Sequence, residues 1–184
     1  MEIFAQVIGI FGMIANILSF QQKSQRGVIA LQFFGSLLFS INFFMLGAYV
    51  GSMLNLIGIA RALVFYFKEK THANHIAYLF AFSSLFILAY VLTFTAFGTE
   101  PSAKNLVIEC LPVVAMIVAT VAFRSENAGA IRRYGLIYSP MWLAYNLFNL
   151  SIGAIGCEVL NLASIIVGMI RLDKSKKNSN EIKK

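Results

Sequence analysis

The sequence predicts an all-α membrane protein: seven transmembrane helices, arranged as two parallel three-helix repeats joined by a linker helix. Three observations carry that expectation. Of the 184 residues, 59% are hydrophobic and 12% charged, and mean hydropathy is +0.76, whereas a soluble domain is nearer half apolar and a quarter charged. The apolar residues fall into runs close to the ~20 residues that a helical span needs. Basic residues gather in alternate gaps between those runs.

The runs lie at 3–20, 29–46, 52–67, 76–97, 105–123, 134–150 and 157–171. They lack the strict alternation of strands, and lipid admits only helices or closed barrels. The first run opens on MEIFAQ, with no basic n-region, so it is expected to be retained as a span and not cleaved as a secretory signal. It ends in the polar turn FQQKSQRG. The second run is followed by the nearly neutral LGAYVGS. The third contains Arg61 and stops at Lys68 and Lys70. The turn KEKTHANH then carries His72 and His75, which are expected to be solvated because no carboxylate or thiol cluster accompanies them. The fourth run is the linker span, followed by FGTEPSAK. The fifth holds Glu109, Cys110 and Pro112, and the sixth Pro140, Trp142 and Tyr145. The seventh begins near Cys157 and Glu158, contains Asn161, and gives way at Arg171 to the polar tail DKSKKNSNEIKK, whose composition is that of a disordered segment. Glu109 and Glu158 are expected to be hydrated carboxylates near the outer membrane surface, and Cys110 and Cys157 to lie at the same level.

With seven spans, 13 of the 15 basic residues fall on one side of the membrane, with Lys104 opposite them and Arg61 inside a span. The excess of Lys and Arg marks the cytoplasmic side, which places the N-terminus outside and the C-terminus in the cytoplasm. The net charge of +7 thus reports orientation, and no nucleic acid is expected as a partner.

An internal repeat follows from residues 39–67 and 145–173. At a shift of 106, Gly47 meets Gly153, Ala48 meets Ala154, and Leu54-Asn55-Leu56 meets Leu160-Asn161-Leu162. A mid-membrane asparagine must find a polar partner, and here it recurs at equivalent places. The chain divides into a first repeat at 1–70, a linker helix at 71–100, a second repeat at 101–173 and a basic cytoplasmic tail at 174–184. An odd linker span leaves the two triplets parallel.

Lys23-Ser24-Gln25-Arg26-Gly27-Val28 matches the basic turn K-S-x-x-G-[IV] that follows the first helix of SWEET-like repeats. An aromatic residue stands sixteen positions before each asparagine: Phe39 before Asn55, Tyr145 before Asn161. On these motifs the chain resembles the SWEET and SemiSWEET sugar transporters of the MtN3/PQ-loop group, and within it most resembles the bacterial inner-membrane YgjV family. The resemblance covers nearly the whole chain. It implies a seven-helix fold in the inner membrane, alternating access, and a central site in which Asn55 and Asn161 hold the solute while Phe39 and Tyr145 stack on it. The chain departs from the pattern in three ways. The Pro-Gln pair is absent, Pro112 and Pro140 are the only prolines within spans, and tryptophan stands at neither aromatic position.

From the residues themselves, Asn55 and Asn161 can serve either as interhelical hydrogen-bonding groups or as solute ligands. Arg61 either snorkels to the headgroups, or lines the inner half of the pathway or binds an anionic solute. Trp142, three residues before Tyr145, either shares its face or anchors in lipid. No HExxH, GxSxG or phosphate-binding glycine loop is present, so no enzymatic activity and no cofactor are expected. The expected partners are a small neutral polar solute, such as a sugar, and the lipid bilayer; assembly into a homo-oligomer is left open. Two function classes remain, a facilitative solute transporter and a non-transporting membrane scaffold of the same fold.

Overall fold

A computed structural model describes residues 2–45, 49–96, 98–148 and 152–173, without the side chains of residues 2, 3, 49, 50 and 152–154. The repeat pairs Gly47–Gly153 and Ala48–Ala154 and the tail at 174–184 fall outside this description. The regular elements among the described residues are all helices: α1 (Glu2–Ser19), α2 (Gln25–Met45), α3 (Tyr49–Tyr66), the single turn α4 (Lys68–Thr71), α5 (Ile76–Thr95), α6 (Ala103–Arg124), α7 (Ala128–Phe148) and α8 (Ile152–Gly168), the last continuing as a π-turn at Met169–Asp173.

Local chemistry sets the helix starts. Ser24 Oγ accepts from Gly27 N–H at 3.1 Å at the head of α2, Ser102 Oγ from Asn105 N–H at 3.2 Å at α6, and Asn127 Oδ1 from Ala130 N–H at 2.7 Å at α7. Each side chain satisfies a donor that the helix cannot. The histidines of the KEKTHANH turn are structural: His72 takes the left-handed conformation that ends α4, and exposed His75 caps α5.

Four stretches are long and apolar enough to cross a membrane: Gln25–Met45, Ile76–Thr95, Ala103–Arg124 and Ile155–Asp173. Phe4–Ser19 and Gly51–Tyr66 are shorter apolar helices. Helix α7 starts six residues before the expected span at 134–150 and is more polar, because Arg132, Ser139 and Asn146 turn inward and are buried. Large apolar side chains point outward instead: Phe4, Phe80 and Val107 are each more than 60% exposed, as a lipid-facing surface requires.

Consecutive helices pack side by side, α1 on α2 on α3 and α6 on α7 on α8. Helix α5 bridges α3 and α6. Across the middle, α1 meets α8, α2 meets α7 and α3 meets α6. The main core centres on Phe65, Phe86, Phe123 and Ile131, and a smaller one on Phe20, Tyr138 and Ile165.

The glutamine-rich turn after α1 ties these groups together. Gln21 Nε2 donates to Ser164 O at 2.7 Å, and Ser164 Oγ to Ile17 O at 2.6 Å. Gln25 Nε2 donates to Phe123 O at 2.7 Å and also to Ser125 O. Arg132, which with Arg124 and Arg133 makes the basic turn between the fifth and sixth apolar runs, is 2% exposed. It donates to Phe20 O at 3.1 Å and Gln22 O at 2.8 Å and pairs with Asp173 at 2.5 Å. The reason is its place inside α7, on the face that meets α1 and α8. Gly168 completes the seal: a Cβ there would come 2.4 Å from Phe20 O.

Candidate functional site

Polar residues of an apolar helix avoid lipid, so helices with an inward polar stripe enclose a polar interior. Here they enclose a cavity of about 130 Å³. Its wall draws on α1, α2, α3, α6, α7 and α8, and no residue of α5. Asn16 comes from α1, Gln32, Ser36, Phe39 and Phe43 from α2, and Asn55 and Arg61 from α3. Helix α6 adds Met116 and Ala119; α7 adds Tyr138, Ser139, Trp142 and Asn146; α8 adds Cys157, Glu158 and Asn161.

Five of the six residues singled out from the sequence therefore face one space: Asn55, Asn161, Phe39, Arg61 and Trp142. Tyr145 is not on the wall. Its ring lies edge-on to Trp142 at 5.9 Å, and its hydroxyl lies near Glu109. Asn146, one residue on, faces the cavity instead, because one residue rotates a helix position by about 100°.

The two asparagines do not bridge helices. Asn55 Nδ2 donates to Gly51 O of its own helix at 2.8 Å, and Asn161 Nδ2 makes a long contact of 3.9 Å with Cys157 Sγ, also of its own helix. Asn161 Oδ1 is buried with no hydrogen-bond partner within the protein.

Arg61 does not snorkel. It is 5% exposed, and it donates to Met116 O at 2.9 Å and Thr120 Oγ1 at 3.3 Å. Its guanidinium stands 4.6 Å from the centre of the Phe123 ring, a cation–π arrangement. Packing of α3 against α6 holds it there. Glu158 also departs from expectation: it faces the cavity, accepting from Ser139 Oγ at 2.6 Å. Cys110 and Cys157 are both free, the first exposed and the second buried on the cavity wall.

Sequence reasoning missed Asn16, Gln32, Ser36, Tyr138, Ser139 and Asn146. Their signal is a helical stripe: Gln32, Ser36, Phe39 and Phe43 recur at steps of four, three and four along α2, and Ser139, Trp142 and Asn146 at steps of three and four along α7. The Gln32 amide also reaches the Tyr138 hydroxyl across the interior at 3.5 Å.

The model of a bacterial inner membrane protein family, Imp-YgjV, matches residues 3–176. No curated protein and no solved structure matches the chain.

Proposed function

Because the chain belongs to the Imp-YgjV family of bacterial inner membrane proteins, and so crosses that membrane several times, we propose that it is a transporter that carries a small polar solute through its central cavity by facilitated diffusion. In this reading α1–α3 and α6–α8 are the two three-helix repeats of a SWEET-like arrangement, α5 is the linker, and all seven long helices span. The N-terminus is outside and the C-terminus cytoplasmic. Rocking of one repeat against the other exposes the cavity alternately to the two sides.

One observation carries the proposal: three pairs of cavity-wall residues stand at equivalent places in the two halves. Gln32 and Tyr138, Ser36 and Trp142, and Asn55 and Asn161 all line it, and each pair is 106 residues apart. A space between the halves, mostly apolar but with amide, hydroxyl and charged side chains on its wall, also favours transport over a scaffold, for which a dry, packed interface is the expectation. The hydrogen bonds of Asn55 and Asn161 stay within their own helices, which leaves their remaining polar capacity for a solute.

The test is flux. Purified protein in liposomes should release preloaded solute from a pool of labelled sugars, nucleosides and amino acids. Release should fall in Asn55→Ala and Asn161→Ala while the protein stays folded. A protein that is folded, correctly inserted and silent for every solute would overturn transport in favour of the scaffold.

A further inference from the structure

Two ionisable side chains of opposite sign, Arg61 and Glu158, face the cavity, and neither has an ionic partner. Among the described residues the ion pairs are Arg26–Glu69 and Arg132–Asp173. Arg61 has neutral acceptors and aromatic rings around its guanidinium and no carboxylate, and its Nε is buried without a hydrogen-bond partner. Glu158 has only a hydroxyl donor, Ser139, and a neighbouring amide, Asn161. Arg61 is buried and Glu158 half-buried; a charge inside a membrane protein is costly unless something of opposite sign meets it, and such residues mark solute pathways. Both residues come from different halves of the molecule, Arg61 from α3 and Glu158 from α8.

We propose that the solute is a zwitterion, its acid group held by Arg61 and its amine by Glu158 and the free Oδ1 of Asn161. The inference rests on the transport reading and replaces the uncharged polar solute of the sequence expectation with one that carries both a positive and a negative group. The cavity is then polarised, with a guanidinium at one pole and two oxygen acceptors at the other. If Asn55 and Asn161 lie at matching depth, as the repeat places them, Arg61 is six residues past the first and Glu158 three before the second. At about 1.5 Å per residue the two backbones are roughly 13 Å apart along the axis. The long arginine side chain, tilted toward the start of its helix, spans part of that gap. The remainder suits a solute whose acid and amine are separated by several bonds, as in an ω-amino acid or a dipeptide.

Thermal shift of the purified protein, with each probe referred to the same variant's own melting point, tests this. The probes are 4-aminobutanoate, glycylglycine, butanoate, butylamine and glucose. The two zwitterions should raise the melting temperature, and butanoate, butylamine and glucose should raise it far less. Arg61→Gln and Glu158→Gln should each weaken the zwitterion response at least about tenfold in apparent affinity, with Arg61→Lys retaining part of it. Should Arg61→Gln fail to fold, Arg61→Lys and Glu158→Gln still decide the matter. A butanoate response equal to that of 4-aminobutanoate and unaffected by Glu158→Gln overturns the amine half. A glucose response unaffected by Arg61→Gln overturns the inference and leaves the transport reading standing. No response to any probe overturns the inference, and liposome flux then decides the transport reading separately.

Discussion

Gly168→Ala is the sharpest test of how the end of the bundle beside the first turn is closed. The new Cβ would stand 2.4 Å from Phe20 O and 2.9 Å from Arg132 Cδ, where ordinary contact begins near 3.4 Å. The nearer obstacle, Phe20 O, is main chain, so no rotamer relieves it. Helix α8 and the end of α1 must separate by about 1 Å. Overpacking of this kind costs about 1–3 kcal/mol. The movement also stretches the bonds from Arg132 to Phe20 O and Gln22 O, now 3.1 and 2.8 Å; losing one charged hydrogen bond adds about 1.5–3 kcal/mol. For a chain of 184 residues at about 2–4 °C per kcal/mol, the melting temperature in detergent should fall by roughly 5–25 °C. Fluorescence of Trp142, the single tryptophan, follows the transition. In a Cys110→Ser background, Cys157 on the cavity wall should also react faster with a small thiol reagent in Gly168→Ala. Gly156→Ala is the control: nothing lies within 4 Å of its Cβ position, so the helix should gain up to about 1 kcal/mol. A Gly168→Ala protein that melts with the parent and labels at the same rate would refute the argument that α1 and α8 are in backbone contact.

Three further outcomes are expected. Asn55→Ala and Asn161→Ala should each lower solute affinity about tenfold to a hundredfold, from unpaired solute groups worth about 1–3 kcal/mol, and should change the melting temperature little; a large drop in stability with unchanged binding would make them packing residues. Phe39→Ala should weaken binding of a flat or ring-shaped solute, whereas Tyr145→Ala, off the cavity wall and near Glu109, should reduce stability and spare affinity; the two effects are separated by running isothermal binding and thermal melts on both variants. For topology, Gly47→Cys and Pro101→Cys should react with an impermeant reagent applied outside the cell and Ser24→Cys and Ser175→Cys should not; outside labelling of Ser175→Cys would overturn the odd number of spans.

Helix existence was legible because apolar runs and their polar stops are local properties. Helix α7 was the exception in its start: Arg132 and Arg133 read as a basic turn, yet the helix continues through them from the Asn127 cap. Sequence distance cannot tell an arginine that meets headgroups from one buried against carbonyls contributed by residues more than 100 positions away. The same limit hid the fate of Arg61, whose acceptors lie on α6. At the cavity, the asparagines and Phe39 were legible as polar or aromatic residues recurring between two halves. Tyr145 was not, since equal spacing along the chain fixes position only to within a residue, and a residue is over a quarter of a turn. Glu158 was assigned by its nearness to the end of an apolar run, but direction around the helix decided its surroundings, with Ser139 on α7 as its partner.

The latch around Arg132 has an asymmetry of its own. Its donors are side-chain atoms, while two of its acceptors are main-chain oxygens, those of Phe20 and Gln22. A main-chain oxygen is the same atom whatever side chain its residue bears. The latch therefore depends on the path of the chain through the first turn and hardly at all on the letters written there, so a turn without the Pro-Gln pair can close as well as one with it. Spelling should vary freely at position 22, stay apolar at position 20 because the Phe20 ring is part of the smaller core, and be rigid at Arg132, Asp173 and Gly168. Relatives that share this closure are best sought by those three distant residues taken together, and not by the wording of the turn they hold.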